Sequence, residues 1–229
     1  MPRSNKLSQG KIRVGVATVC CHRIDVILLG GTFDPVHCGH LQAARIAGAQ
    51  LACAIHMLIA PRPQLRPPCA ASYADRWAML QLACRSDSAL IPFDFEQGIS
   101  GPTHTIVTLE RLRQTTTENF VWILGSDALM KVRLWHRAEE LPDWLSFFVF
   151  RRPGIPTVEL PRHFRKTNDA RELLQRQGLI YISTRPMLDL SGSKIRHLRK
   201  NGKEIKSLVT APVHDYIISK HLYEPKDSC

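Results

Sequence analysis

The sequence predicts a single doubly wound α/β domain, in which helices cover both faces of a parallel sheet. Short apolar runs typical of buried strands alternate with segments of helical periodicity along most of the chain. Glycines follow several of these runs, and no internal repeat or linker divides the 229 residues into two units. A chain of this length buries roughly 70% of the surface that its unfolded form exposes, so it can build a core without disulfides.

The first two βα units are the clearest. A strand at 24–29 ends at Gly30 and Gly31, and a helix at 40–51 places its leucines and alanines at helical spacing. A second strand at 54–60 is followed by a loop at 61–68 that contains four prolines. A helix then carries an apolar row at i, i+4, i+7 and i+11, formed by Tyr73, Trp77, Leu80 and Cys84.

The remaining elements continue the alternation. We predict strands at 90–95, 120–124, 145–150 and 179–183, and helices at 105–113 and 169–177, the latter stopped by Gly178. After Ser191 the chain becomes helical and basic, and a final helix covers 212–221. We therefore expect a domain at 24–223 with a small helical C-terminal subdomain at 189–223, a disordered basic extension at 1–23 and a tail at 224–229.

The amino-acid composition restricts the classes of partner and the compartment that we expect for the protein. The 31 Lys and Arg residues outnumber the 20 Asp and Glu residues, giving a net charge of +11 that favours nucleic acid, acidic membranes or nucleotides. No apolar run approaches the ~20 residues of a membrane-spanning helix. The seven cysteines are scattered without a C-x-x-C pair, which predicts free thiols in a reducing, cytoplasmic compartment.

Segment 30–40, GGTFDPVHCGH, lies between the first strand and the first helix. In an open parallel sheet this connection lies at the carboxyl ends of the strands, where ligands bind, and the helix N-terminus attracts phosphate. Gly30 and Gly31 allow a ligand to approach the backbone. His37 and His40 are three residues apart, so both imidazoles can face one phosphate. Cys38 lies between them, where positive charge could lower its pKa, or it simply fills a variable position.

Two further loops are expected to meet this segment. In LSGSKIR at 190–196, Ser191 or Ser193 can cap a helix whose Lys194 and Arg196 add positive charge. Gly125 and Asp127 follow a central strand, where the carboxylate can accept from a sugar hydroxyl or hold a hydrated Mg²⁺. Together the three loops predict a nucleotide site.

These motifs resemble those of the nucleotidylyltransferase superfamily, because GGTFDPVHCGH is similar to its T/H-x-G-H signature and LSGSKIR to its I-S-S-T-x-I-R signature. The segments ILGSDAL at 123–129, Trp135 and RRPG at 151–154 resemble bacterial nicotinate-nucleotide adenylyltransferases. The resemblance implies transfer of AMP from ATP to nicotinate mononucleotide, with Mg²⁺ bound mainly through phosphates and no metal site of the protein's own. The same resemblance implies an ATP site formed by Gly30, Gly31, Thr32, Phe33, His37, His40, Gly125, Asp127, Ser191, Ser193 and Arg196.

The resemblance also implies roles. His40, His37 and Arg196 would be catalytic, with His40 donating to the α-phosphate and Arg196 holding the pyrophosphate. The acceptor would be bound by Thr105, Trp135, His136, Arg151, Arg152 and Arg66. Two departures affect this side: the family's P-P-H-K/R loop is PQLR at 63–66, and its S-Y-T is Thr103-His104-Thr105. His136 likewise stands where an aromatic residue such as Tyr is common.

The sequence leaves alternative functions open. The same chemistry could use nicotinamide mononucleotide or phosphopantetheine as acceptor, His37 and His40 could be half of a zinc site, and the charge could serve a nucleic-acid-binding domain. The chain shows no zinc-finger spacing and no second set of histidines for a metal. We therefore expect ATP and nicotinate mononucleotide as partners, with neither nucleic acid nor membrane; a homo-oligomer stays open.

Overall fold

The computed structural model describes residues 26–63, 67–101, 103–151 and 159–225. Its strands are β1 (Val26–Gly31), β2 (Ile55–Ile59), β3 (Leu90–Phe93), β4 (Phe120–Gly125), β5 (Leu145–Phe150), β6 (Arg165–Thr167) and β7 (Leu179–Ser183). Its α-helices are α1 (Cys38–Leu51), α2 (Tyr73–Cys84), α3 (Thr105–Arg113), α4 (Ser126–Leu129), α5 (Gly192–Lys200) and α6 (Ala211–Ser219). Short 3-10 helices lie at Phe95–Gly98, Val132–Leu134, Ala138–Asp143 and Ala170–Leu174.

The seven strands form one parallel sheet in the order β3-β2-β1-β4-β5-β7-β6. The strand order reverses between β1 and β4, which is the topological switch point where α/β sheets bind ligands. The carboxyl ends of these two strands are Gly31 and Gly125. The predicted α/β class is confirmed, and the fold places two of the predicted site loops side by side.

The core lies on both faces of the sheet. Strand alternation sends Ile27 and Leu29 into the cluster that also contains residues of α1, α2 and α6. The intervening Leu28 joins the opposite cluster, with Trp122 of β4 and Leu109 of α3. Because the C-terminal helices contribute to the first cluster, α5 and α6 share the core of the sheet domain and reach the edge where β1 ends.

Two elements differ from the expectation. The helix predicted at 169–177 is wrong: the structure has only the 3-10 turn Ala170–Leu174, begun by the Asp169 side chain, which accepts from the N–H of Arg171. Strand β6 was absent from the expectation, and it pairs Arg165 with Leu179 at the sheet edge. The predicted extension at 1–23 and most of the predicted tail lie outside the described residues.

The described parts of the chain provide two further facts. Their four cysteines are Cys38, Cys53, Cys69 and Cys84, of which Cys84 is buried and the other three are half-buried. None of their helices combines the length and the apolar character that a membrane span requires.

Candidate active site

The two motif histidines lie together at the N-terminus of α1. His37 is the N-cap residue and only 5% exposed, while His40 is half-buried in the first turn. Their rings stack with centroids 3.7 Å apart at 24°. The backbone N–H of His37 donates to Nδ1 of His40 at 3.3 Å. A neutral imidazole whose Nδ1 accepts carries its proton on Nε2, so this contact makes His40 an Nε2–H donor.

The glycines before the histidines make room for aromatic rings of the protein. A Cβ on Gly30 would lie 2.6 Å from Cζ2 of Trp122, and one on Gly31 would lie 3.1 Å from the ring of Phe33. Phe33 is fully buried at φ 48°, and the edge of its ring meets His40 with centroids 5.0 Å apart. Because Gly30 and Gly31 have no side chains, the rings of Trp122 and Phe33 can pack beneath the site. The same property leaves the backbone accessible.

Helix α5 brings the second motif to the first. Ser191 is its N-cap and accepts from the N–H of Lys194 at 3.2 Å, which confirms the predicted cap, and the Ser193 hydroxyl lies 3.0 Å from that of Ser191. Arg196 donates from Nη1 to the carbonyl of Asp34 at 2.6 Å. Gly192 permits this approach, because a Cβ there would lie 2.7 Å from the same carbonyl oxygen.

One pocket collects the three predicted loops. His37 and His40 face it from α1, Gly125 from the end of β4, and Phe150 from the end of β5. Its wall continues through the segment before α5, residues 187–190. Asp127 is half-buried in the first turn of α4, directly after Gly125. Of the residues that the sequence assigns to ATP, His37, His40 and Gly125 line this pocket at the switch point.

Several of the residues predicted to bind the acceptor lie near the N-terminus of α3 or after β5. Thr105 is the first residue of that helix. Trp135 is half-buried, with its ring nearly perpendicular to those of Trp122 (centroids 6.4 Å apart) and Phe147 (6.3 Å). Arg151 is exposed just beyond β5. Arg66 and Arg152 lie outside the described residues, so their assignment stays a prediction.

The buried carboxylate of Glu96 is hydrogen-bonded to α3. Glu96 is 5% exposed, and the hydroxyl of Thr108 donates to its Oε1 at 2.7 Å. Burial raises the pKa of Glu96, and hydrogen bonds from Thr108 and Thr103 oppose the rise. This bond fixes the helix that carries Thr105 to the turn after β3.

Sequence reasoning missed two buried charged residues near the motif. Asp34 is 5% exposed, and its carboxylate accepts three hydrogen bonds from two other segments of the chain, residues 70–71 and Tyr223. Arg76 of α2 is 2% exposed and donates to the carbonyls of Thr32 at 2.6 Å and Ala60 at 2.9 Å, joining the ends of β1 and β2. Their positions in the sequence were the one indication of burial. Asp34 follows an apolar strand, and Arg76 lies beside the apolar row of a helix.

The comparisons with known proteins agree with this geometry. Residues 28–198 match the cytidylyltransferase-like family. A Yersinia pestis (strain Pestoides F) protein named "Probable nicotinate-nucleotide adenylyltransferase" is 34% identical over 207 residues, 86% of this chain and 94% of the relative. An Acidithiobacillus ferrooxidans protein of the same name is 34% identical over 209 residues, 87% and 96% of the two chains. The chain belongs to the nicotinate-nucleotide adenylyltransferase family.

Solved structures share the fold. Plasmodium falciparum nicotinic acid mononucleotide adenylyltransferase complexed with NaAD matches with a TM-score of 0.69 at 20% identity, covering 88% of this chain and 98% of that one. The same protein complexed with APC matches with a TM-score of 0.66.

Within the nicotinate-nucleotide adenylyltransferase family, this chain departs from the usual pattern at two residues that meet in space. The rings of His104 and His136 lie 4.6 Å apart at 32°. Burial and the neighbouring His136 lower the pKa of His104. His104 and His136 therefore form one pair beside the N-terminus of α3.

Proposed function

We propose that the protein transfers AMP from ATP to nicotinate mononucleotide, giving nicotinic acid adenine dinucleotide and pyrophosphate. The observation that carries the proposal is that His37, His40 and Gly125 line one pocket at the switch point of the sheet, while Arg196 is bound to the carbonyl of Asp34 in the loop that leads to His37. Relatives that bear the name of this enzyme align along nearly the whole described chain.

The reaction balances without a covalent intermediate. An oxygen of the acceptor phosphate attacks the α-phosphorus of ATP, the bond from that phosphorus to the bridging oxygen breaks, and pyrophosphate leaves with the electron pair. Catalysis then consists of positioning and charge stabilisation. His40 donates from Nε2 to the α-phosphate as negative charge shifts, and His37 assists at the neighbouring phosphates. Arg196, with Ser191 and Ser193, holds the pyrophosphate.

We propose that Mg²⁺ enters with ATP and is held mainly by its phosphates. The described residues contain no group of three or more His, Cys, Asp or Glu side chains arranged for a metal. Asp127 supplies a single carboxylate at the end of β4, which fits an ion that keeps several waters. When bound, Mg²⁺ neutralises charge on the triphosphate.

For the acceptor, we propose that Trp135 packs on the pyridine ring and that Thr105 binds its carboxylate at the N-terminus of α3. His136 lies beside them, and Arg151 with Arg152 and Arg66 would bind the mononucleotide phosphate. The half-buried ring of Trp135 and the position of Thr105 support this arrangement.

We also propose that nucleotides are the anionic partners of the net charge, in the cytoplasm. Several arginines of the described chain already pair with carboxylates, namely Arg45, Arg137, Arg176 and Arg199. These pairs interrupt the positive surface that a nucleic-acid backbone requires.

Pyrophosphate release tests the proposal. With ATP and Mg²⁺ present, we expect turnover with nicotinate mononucleotide and at least about tenfold lower kcat/KM with nicotinamide mononucleotide, because an amide loses the charge that Thr105 and the helix N-terminus bind. Phosphopantetheine should give no turnover. Preferred release with phosphopantetheine would overturn the assignment, and equal turnover of acid and amide would remove carboxylate recognition from it.

A further inference from the structure

A buried carboxylate joins four parts of the chain beneath the phosphate site. Asp34 accepts hydrogen bonds from the N–H groups of Ala70 at 2.8 Å and Ala71 at 3.1 Å, which precede α2. It accepts a third from the hydroxyl of Tyr223 at 2.7 Å. Nη1 of Arg196 lies 3.6 Å from its Oδ2 and 2.6 Å from its backbone carbonyl oxygen. The charge of Asp34 is therefore shared between a structural loop, the C-terminal segment and a predicted phosphate ligand.

The segment that carries Tyr223 follows α6 and is fixed at two points. Tyr223 has φ 62°, a conformation that residues other than glycine rarely adopt. The next residue, Glu224, forms an ion pair with Arg199 of α5, one turn after Arg196. Glu224 thus binds the helix that presents Arg196, and Tyr223 binds the carboxylate that Arg196 faces.

We propose that Tyr223 is a positioning residue for Arg196: its hydroxyl holds the Asp34 carboxylate so that the guanidinium stays directed at the phosphates of ATP. The identity of that ligand rests on the proposed function. Tyr223 and Ala71 donate to Oδ1 of Asp34, while Ala70 donates to Oδ2.

Removal of the Tyr223 hydroxyl leaves a buried carboxylate oxygen with one donor fewer, which is costly. Arg196 is charged, partly exposed and 3.6 Å from Oδ2, the other oxygen of the same carboxylate, so we expect it to move toward Asp34 and away from the phosphates. Burial and the nearby Asp34 charge raise the pKa of Tyr223, so the hydroxyl stays a donor throughout the physiological range.

The test compares Tyr223→Phe with Tyr216→Phe in the full-length protein. The Phe side chain preserves the ring, and Tyr216 is a matched control because its hydroxyl donates to a different carboxylate, Asp75, at 3.0 Å. We expect Tyr223→Phe to raise the Kd for inorganic pyrophosphate, measured by calorimetry, and to lower kcat/KM for ATP by about tenfold each. The KM for the acceptor and both values in Tyr216→Phe should stay within about twofold of wild type.

A double-mutant cycle decides whether Tyr223 acts through Arg196. In an Arg196→Ala background, Tyr223→Phe should have little further effect on pyrophosphate binding. An equal loss in both backgrounds, or an equal loss in Tyr216→Phe, would overturn the inference. If the proposed function is wrong, the wild type would bind pyrophosphate but would not turn over nicotinate mononucleotide. The double-mutant cycle on pyrophosphate binding would still decide the role of Tyr223.

Discussion

The proton on His40 is placed by the backbone of its own helix turn. Because the N–H of His37 donates to Nδ1, a neutral His40 ring carries its proton on Nε2. We expect His40→Ala to lower kcat about 100-fold, the usual loss for one transition-state donor, with a smaller change in ATP affinity. Single-turnover kinetics and calorimetry with ATP measure the two effects.

The exposed His197 on α5 offers a matched control for this substitution. His197→Ala removes an imidazole near the same site and should keep kcat within about twofold of the wild type. If His40→Ala retained near wild-type kcat, His40 would have no catalytic role.

Single residues also show where sequence reasoning ends. His37, His40 and Ser191 could be placed because their function depends on neighbours within a few positions, which a motif records. Asp34 could not, because its partners are 36, 37, 162 and 189 residues away in the chain. Only the fold brings together partners at such separations.

At the scale of elements, the strands and helices with a high apolar content could be predicted from the sequence, whereas those with a low apolar content could not. Strands β4 and β5 are buried on nearly every residue, so their composition alone identifies them. Strand β6 contains only Arg165, Lys166 and Thr167 and exists because it pairs with β7. The helix expected at 169–177 had charged helix-forming residues but too little apolar surface to extend beyond one 3-10 turn.

The contact between Gly30 of β1 and Trp122 of β4 at the switch point predicts how a substitution at Gly30 affects stability. A Cβ on Gly30 would lie 2.6 Å from Trp122, so Gly30→Ala forces an overpacked core and should lower the free energy of unfolding by about 1–3 kcal/mol. In a Trp122→Leu background the added cost should fall by at least about 0.5 kcal/mol, because the indole is gone. Urea unfolding of the four chains without ligand measures this coupling.

Gly98→Ala is the control for the glycine substitution itself. Among the residues that the structure describes, no heavy atom lies within 4 Å of a Cβ built on Gly98, so its replacement should cost little. An identical cost of Gly30→Ala with and without the indole would show that Gly30 is constrained by something other than Trp122.

At the scale of the whole molecule, the fold brings two histidines and Arg196 of a chain with a net charge of +11 to one edge of the sheet. The sheet directs two loops to one edge, and α5 and α6 return to that edge through the core shared with α1 and α2. The histidines and Arg196 are therefore held from several directions, while many other cations pair on the surface. Net charge predicted an anionic partner, and only the sheet order locates the binding site.

Two half-buried histidines, His56 and His104, make the stability of the whole molecule depend on pH. Burial lowers the pKa of His56 on β2 below its ordinary 6.5, and a hydrogen bond with the Ile27 backbone opposes this only in part. Burial and His136 lower the pKa of His104 in the same direction. Unfolding restores the ordinary pKa, so between the two values the unfolded chain binds protons that the folded chain does not.

The free energy of unfolding should therefore be fully retained above about pH 6.5 and fall as the pH drops through 6.5 toward the lower native values. Urea unfolding in steps from about pH 7.5 to about pH 5 measures the slope. His56→Phe, which keeps a ring against Phe93, should flatten the slope, whereas replacement of the exposed His163 by Gln should leave it as in the wild type. A slope unchanged by His56→Phe would assign the acid sensitivity to other groups, with His104→Phe as the next variant to measure.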